Sequence, residues 1–347
     1  MVRFERRKNY SLKAHNTFGI EAKCRRFLEL SSVDEAIEVL PALRGEDAPL
    51  LLLGGGSNLL LTKDFPGTVI HSAIMGTEAR ETDDGHVLLR CGSGETWDNI
   101  VDLAVSRGWY GAENLSLIPG DVGASAVQNI GAYGVEAKDL IVRVEAVEIA
   151  TGNLHLFTNE ECRYSYRQSR FKQDWRDHFF ITHVTYRLSL RFQPKLDYGN
   201  IREKLAEMGV GQGAEAGQLT AQQLRQAIID IRNAKLPDPR FEGNAGSFFM
   251  NPVVSRSKYE RLAADYPGMP HYTIDESHEK IPAGWMIDQC GWKGKTLGRA
   301  GVHDRQALVL VNKGGATGDE IVHLCEQIRM DVLNRFGIEI QPEVNIV

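Results

Sequence analysis

Ile118-Pro119-Gly120-Asp121-Val122-Gly123-Ala124-Ser125-Ala126-Val127-Gln128-Asn129-Ile130-Gly131-Ala132-Tyr133-Gly134 is long, rich in small residues and nearly free of charge. It holds too few large apolar groups to build a core, yet Val122, Val127 and Ile130 would keep it inside. As a buried loop, it needs partners for its backbone polar groups, and a bound cofactor would supply them. Upstream, Gly54-Gly55-Gly56-Ser57-Asn58 can turn successive N–H groups into a concave nest suited to phosphate. Taken alone, this pentapeptide reads first as an ordinary glycine-rich turn. It is not a Rossmann fingerprint, because Leu59 stands where the last glycine of G-x-G-x-x-G belongs. Two such loops in one sheet-rich region point to a dinucleotide.

The surrounding pattern mixes helix and strand. Ser32 and Glu35 have capping-box spacing, and Val33, Ala36, Ile37 and Leu40 predict a helix over about 32–40, stopped by Pro41. Leu50 to Leu53 and Leu59 to Leu61 predict strands on either side of the glycine triplet. Trp97, Ile100, Val101, Ala104 and Val105 share a helical face that ends at Gly108. From Val142 to Leu190 the period becomes two, clearest at Phe180, Thr182, Val184, Tyr186 and Leu188, so this third is read mostly as sheet. The segment Gly209 to Leu219 looks like an insert. A helix from Thr220 turns Leu224, Ala227, Ile228 and Ile231 inward. The last helix starts at the capping box Thr317 to Glu320 and ends near Gly337, after which Ile338 to Val347 alternates like a strand. Elements of both kinds without strict βαβ alternation favour α+β over a doubly wound sheet.

With 347 residues, 42% of them hydrophobic, the chain is long enough for more than one domain. The net charge of −6 supplies no bulk positive field for nucleic acid. The five cysteines, Cys24, Cys91, Cys162, Cys290 and Cys325, contain no CxxC pair, which argues against a disulfide framework and suits a reducing cytoplasm. The basic N-terminus does not read as a secretory signal, and no apolar run approaches the roughly 20 residues that span a bilayer. Gly294-Lys295-Thr296 fails the Walker pattern because Gln289 stands five residues before Gly294. His303-Asp304-Arg305-Gln306 and Asp275-Glu276-Ser277-His278-Glu279 lack HExxH spacing and read as solvated loops, so no metal is expected. Gly-x-Ser-x-Gly is absent.

Six strings then fall into one order: Asn16-Thr17-Phe18-Gly19, Gly54 to Asn58, Ile118 to Gly134, Tyr166-Arg167-Gln168-Ser169-Arg170-Phe171-Lys172, Gly243 to Pro252, and Pro342-Glu343-Val344. Together they resemble the UDP-N-acetylenolpyruvoylglucosamine reductase family over nearly the whole chain. The resemblance implies an α+β protein with a two-subdomain FAD-binding fold of the vanillyl-alcohol-oxidase/PCMH-like class, plus a third α+β substrate-binding domain. The expected division is 1–75 and 76–220 for the FAD subdomains and 221–337 for the substrate domain, with 338–347 returning to the active site. Non-covalent FAD is expected, since neither glycine loop contains the histidine through which some relatives attach it. The resemblance also implies NADPH as hydride donor and UDP-N-acetylglucosamine enolpyruvate as acceptor.

By the same resemblance, Arg167 is the catalytic arginine, Ser247 the proton donor and Glu343 the catalytic glutamate, which either pairs with Arg167 or hydrogen-bonds the intermediate. Read without it, these are a cation in an Arg-rich segment, a turn serine and an exposed carboxylate. Cofactor contacts are expected from Gly54, Gly55, Gly56, Ser57, Asn58, Pro119, Gly120, Gly123, Ala124, Ser125, Gln128, Asn129, Gly131, Ala132, Tyr133 and Gly134. Substrate contacts are expected from Tyr198, Lys235, Asn251 and Gln306, with Lys235 facing the diphosphate. Two other readings keep the fold: a flavin oxidase passing electrons to oxygen, and a non-catalytic nucleotide-sugar-binding regulator.

Overall fold

A computed structural model describes residues 7–210 and 219–347, so most of the insert-like segment Gly209 to Leu219 lies outside the described residues. Eight helices are described: α1 (Val33–Val39), α2 (Trp97–Ser106), α3 (Val122–Gln128), α4 (Ile201–Glu207), α5 (Ala221–Lys235), α6 (Arg256–Asp265), α7 (Ala283–Gln289) and α8 (Gly318–Phe336). The chain forms two compact units, each assembled from separated stretches. Unit 1 takes Met1–Tyr10, Cys24–Gly55 and Pro66–Ala234; unit 2 takes Ser11–Lys23, Gly56–Phe65 and Lys235–Val347.

Unit 1 holds two larger sheets and a two-stranded ribbon of Gly131–Ala132 with Val135–Glu136. In the first, the strand order is Arg7–Ser11, Lys23–Leu30, Phe65–Ser72, Leu50–Leu53. Leu50–Leu53 runs parallel to Phe65–Ser72, with Leu52 opposite Ile70. In the second, antiparallel strands follow the order Leu154–Thr158, Ile141–Glu148, Phe179–Ser189, His86–Gly92, Thr77–Thr82. Phe179–Ser189 is central and buried on both faces. Phe180 joins Ala36 and Val39 of α1, whereas Val184 and Tyr186 pack with Trp97, Val101 and Val122 of α2 and α3. Trp97 is fully buried and donates its indole N–H to the Leu115 carbonyl at 2.9 Å, so its polar edge is satisfied inside the core. The region read as mostly sheet is interrupted between 158 and 179, where turns replace strand.

α1 begins where its sequence predicts, with the Ser32 hydroxyl accepting from Glu35 N–H at 3.1 Å. The Glu35 carboxylate reaches back to Ser31 N–H rather than that of Ser32, one residue beyond the expected capping box. α5, expected to open a separate domain at 221, belongs to unit 1. Its Leu224, Ala227, Ile228 and Ile231 pack on Ile201 and Leu205 of α4, and Arg225 pairs with Asp98 on α2 at 2.7 Å. With these ties, compact unit 1 runs to Ala234.

Unit 2 is built on a four-stranded sheet in the order Gly243–Ser247, Val309–Asn312, Ala300–Val302, Thr296–Leu297. A second sheet orders Val253–Ser255, His278–Lys280, Tyr272–Thr273. α8 buries Ile321, Leu324, Cys325, Ile328 and Val332 on one face. Thr317 and Glu320 form the expected capping box, and Gly337 closes the helix in the left-handed conformation, φ 61°. Thr317→Ala is expected to lower unfolding stability by about 1 kcal/mol in a urea titration, because one N-terminal N–H loses its acceptor. The tail, expected to alternate as one strand, instead pairs at two short places. Asn345–Ile346 lies parallel to Leu59–Leu60, and Pro342 bridges Phe249.

All five cysteines are free, and burial pushes the Cys91 and Cys325 thiols up to about 12, so they are packing groups rather than nucleophiles. Among the described residues no helix is long and apolar enough to cross a membrane, and no cluster of three potential metal ligands is formed.

Candidate functional site

The segment 118–134 is not the loop its composition predicts. Residues 122–128 form α3, because Gly123, Ser125 and Ala126 are small enough to pack at close range inside unit 1. A Cβ on Gly123 would lie 2.9 Å from Ser93 Cβ. The Ser125 hydroxyl donates to Val122 O and pairs with the Tyr186 hydroxyl at 2.7 Å. Asn129, fully buried with φ 45°, ends the helix. Its amide donates to Glu136 and to Ser165 O while its oxygen accepts from Lys138 N–H. Gln128 accepts from Lys172 at 3.0 Å. Ser125 and Asn129 are buried, and both their side chains and their backbone groups are engaged within unit 1.

The two glycine segments come together in unit 1. A Cβ on Gly55 would lie 3.2 Å from both Gly120 Cα and Asp121 Oδ1, and one on Gly54 would lie 3.3 Å from Asp121 Oδ2. Glycine here lets two backbone stretches approach closely and leaves them without side chains, the kind of bare backbone a diphosphate cradle uses. Gly56 has a different cause. Its φ is 63°, and a Cβ would fall 2.0 Å from the His15 carbonyl oxygen, so glycine is demanded by the packing of unit 2 itself. Asn58 is tied to the C-terminal tail, its side chain donating to Glu343 O at 3.3 Å and its carbonyl accepting from Asn345 N–H.

Arg167 stands at the far end of the second segment. It has a left-handed backbone, φ 57°, uncommon for a non-glycine residue. Its guanidinium donates to Gly131 O at 2.7 Å and to Asn129 O at 3.4 Å. Tyr133 O accepts from Asn114, whose amide also donates to Lys195 O. The Tyr133 and Tyr198 rings meet edge to face with centroids 6.5 Å apart, and a Cβ on Gly134 would sit 3.5 Å from that of Tyr198, an ordinary contact distance. Arg232 of α5 is a residue that no sequence signal singles out. It is half-buried with its Nε enclosed, and burial pushes its pKa below the usual guanidinium range, partly offset by Tyr133 and Asp98 and reinforced by Arg167. That Nε has no hydrogen-bond partner among the described residues. Since a guanidinium does not give up its proton, unit 1 holds two cations suited to an anionic ligand.

Unit 2 brings Ser247 and Glu343 together although they are far apart in sequence. Ser247 is exposed at the end of Gly243–Ser247, opposite Val309, and Phe248 N–H donates to Leu308 O. On the other side Glu343 N–H donates to Phe248 O at 2.8 Å, and Met250 N–H to Gln341 O. Asn251 and Gln306 meet at the start of α7: Asn251 accepts from Ala283 N–H at 2.9 Å, and a Cβ on Gly284 would lie 3.2 Å from Gln306 Oε1. Lys235 is the last residue of α5 and the first of this stretch of unit 2. The 275–279 segment is only partly the solvated loop expected: His278, paired with Asp275, and Glu279 lie in a strand, with Glu279 buried between His271 and Arg256.

An α+β chain with paired glycine segments and an enclosed cationic corner has the character of a flavin-binding protein, and residues 25–158 match the FAD binding domain family. Residues 238–347 match the UDP-N-acetylenolpyruvoylglucosamine reductase C-terminal domain. The UDP-N-acetylenolpyruvoylglucosamine reductase of Bacteroides fragilis is 55% identical over 97% of this chain and 99% of its own length. That of Flavobacterium johnsoniae is 44% identical over 98% of each chain. The crystal structure of the Thermus caldophilus reductase covers 100% of this chain and 99% of its own, with TM-score 0.66 at 22% identity, and so shares the fold. The chain belongs to the UDP-N-acetylenolpyruvoylglucosamine reductase family.

Proposed function

We propose that this chain catalyses the NADPH-dependent, FAD-mediated reduction of UDP-N-acetylglucosamine enolpyruvate to UDP-N-acetylmuramate, a step in peptidoglycan precursor synthesis carried out in the cytoplasm. Family membership supplies the reaction, and the observation that carries the structural side is Arg167, fixed by Gly131 O at the end of the second glycine segment. FAD, when bound, supplies the hydride, taken from NADPH, that reaches the terminal vinyl carbon of the substrate. The FAD subdomains proposed over 1–75 and 76–220 draw mainly on unit 1, residues 11–23 and 56–65 of the first belonging to unit 2.

In this reading, negative charge gathers on the enolpyruvyl carboxylate as the vinyl carbon is reduced. Arg167 holds that carboxylate through a planar, permanently charged fork, and Arg232 adds a second positive charge in unit 1. Ser247, exposed at its strand end, delivers a proton to the adjacent carbon. Glu343, placed beside the Ser247 strand by its bond to Phe248, donates a hydrogen bond to the developing enolate in its protonated form. Tyr198 stacks on the nucleotide sugar, Lys235 meets its diphosphate, and Asn251 and Gln306 bond its polar groups. Gly54, Gly55, Gly120 and Gly131 present bare backbone to FAD.

Arg167→Lys keeps the charge but loses the fork, worth about 1.5–3 kcal/mol. Stopped-flow absorbance should show flavin reduction by NADPH unchanged and substrate-driven reoxidation slowed by about 10- to 100-fold; an unchanged second phase would reject the bidentate grip. The reaction as a whole is tested by anaerobic absorbance. The protein should carry yellow flavin, NADPH should bleach it, and the enolpyruvyl nucleotide sugar should restore the colour. Recovery only on admitting oxygen would favour a flavin oxidase instead.

A further inference from the structure

Between the glycine segments stands a residue that neither the sequence pattern nor the family assignment uses. The Asp121 carboxyl lies over Gly54 and Gly55, close enough that a Cβ on either would be within 3.3 Å of its oxygens. It precedes α3 but accepts no hydrogen bond from the first turn of that helix, and among the described residues it has no ion-pair partner. We propose that Asp121 is protonated in the FAD complex and donates a hydrogen bond to the cofactor diphosphate, which makes FAD binding proton-linked.

This inference rests on the reading of the two glycine segments as the diphosphate cradle. An ionised carboxylate facing a dianionic diphosphate across a few ångströms would repel it, whereas a carboxylic acid is a donor to it. The groups around Asp121 do nothing to hold it ionised. Gly54 and Gly55 carry no side chain, and α3 contains no charged residue. Thr96, which bridges Asp121, is flanked by Glu95, whose carboxylate accepts from Gly76 N–H at 2.7 Å, and the nearby Asp98 is held by Arg225. Burial alone acts, and it pushes the carboxyl up to about 6. The bound diphosphate raises it further. Below about pH 6 the proton is already present and affinity is highest. Above it each FAD bound takes up a proton, so affinity falls about tenfold per pH unit until the pKa of the complex is passed.

The test is calorimetric titration of FAD into the flavin-free full chain at pH 7.5, in phosphate and in Tris, whose ionisation enthalpies differ. About one proton taken up per FAD is expected, with affinity declining between pH 6.5 and 8.5. Riboflavin, which lacks the diphosphate, should take up none, and Asp121→Asn should bind FAD with no proton uptake and a flat pH profile. Zero uptake by the wild-type chain, or equal uptake by Asp121→Asn, overturns the inference while leaving the flavoprotein reading intact. Should FAD fail to bind at every pH, the cradle reading itself fails. The wild-type measurement decides the matter even if the variant does not fold.

Discussion

Ser247→Ala is expected to leave flavin reduction by NADPH intact and to slow the second half-reaction by about 10²- to 10⁴-fold, the range typical of a lost general acid. The substitution is a clean one. Ser247 is exposed at the end of its strand, and its pairing with Val309 runs through the backbone, so alanine keeps the sheet. What is removed is a hydroxyl whose proton has to reach carbon, and water in its place is neither positioned nor activated. Rapid-mixing absorbance separates the two phases. Reoxidation at the wild-type rate in the variant would remove Ser247 from the proton transfer.

Gly56→Ala is expected to be the most damaging change in the glycine triplet, and through folding rather than cofactor binding. Its Cβ would fall 2.0 Å from the His15 carbonyl at φ 63°. Left-handed strain of about 1–2 kcal/mol adds to overpacking of about 1–3 kcal/mol, for a loss of about 2–5 kcal/mol measured by denaturant unfolding. Gly55→Ala is the contrasting case. The nearest atoms to its Cβ would be those of Gly120 and Asp121 at 3.2 Å or beyond, so the fold should survive while the added methyl group crowds the bare backbone proposed to meet FAD. Equal stability losses in the two variants would contradict this division of the triplet.

That contrast marks what the sequence made legible. The helices with chemical punctuation, α1 behind Ser32 and α8 between Thr317 and Gly337, stand where their caps put them, since a cap is a local event within one turn. α3 was hidden because its residues are chosen for smallness against Ser93 and Tyr186, which erases the apolar periodicity that announces a helix. The inclusion of α5 in unit 1 is illegible for a similar reason: its ties to α2 and α4 are long-range, and no local composition reports them. At the candidate site, the family strings led to Arg167, Ser247 and Glu343, but nothing local could reveal that residues 343 and 248 are hydrogen-bonded neighbours. Arg232 and Asp121 carried no signal, because a helix arginine and a helix-preceding aspartate are ordinary until their burial is known.

The scattered make-up of unit 2 bears on how the chain is synthesised. Leu59–Leu60 leaves the ribosome early, yet its strand partner is Asn345–Ile346, and the Thr62 N–H and hydroxyl both end on the Val347 carbonyl. Residues 11–23 also wait, though less long: Thr17 O accepts from Asn244 N–H and Phe18 O from Asn312. The native pairing of Leu59–Leu60 is therefore completed only after translation has passed Asn345–Ile346. A gene fragment cut to the boundaries 238–347 would encode most of the residues of this unit and still lack the strand that closes it.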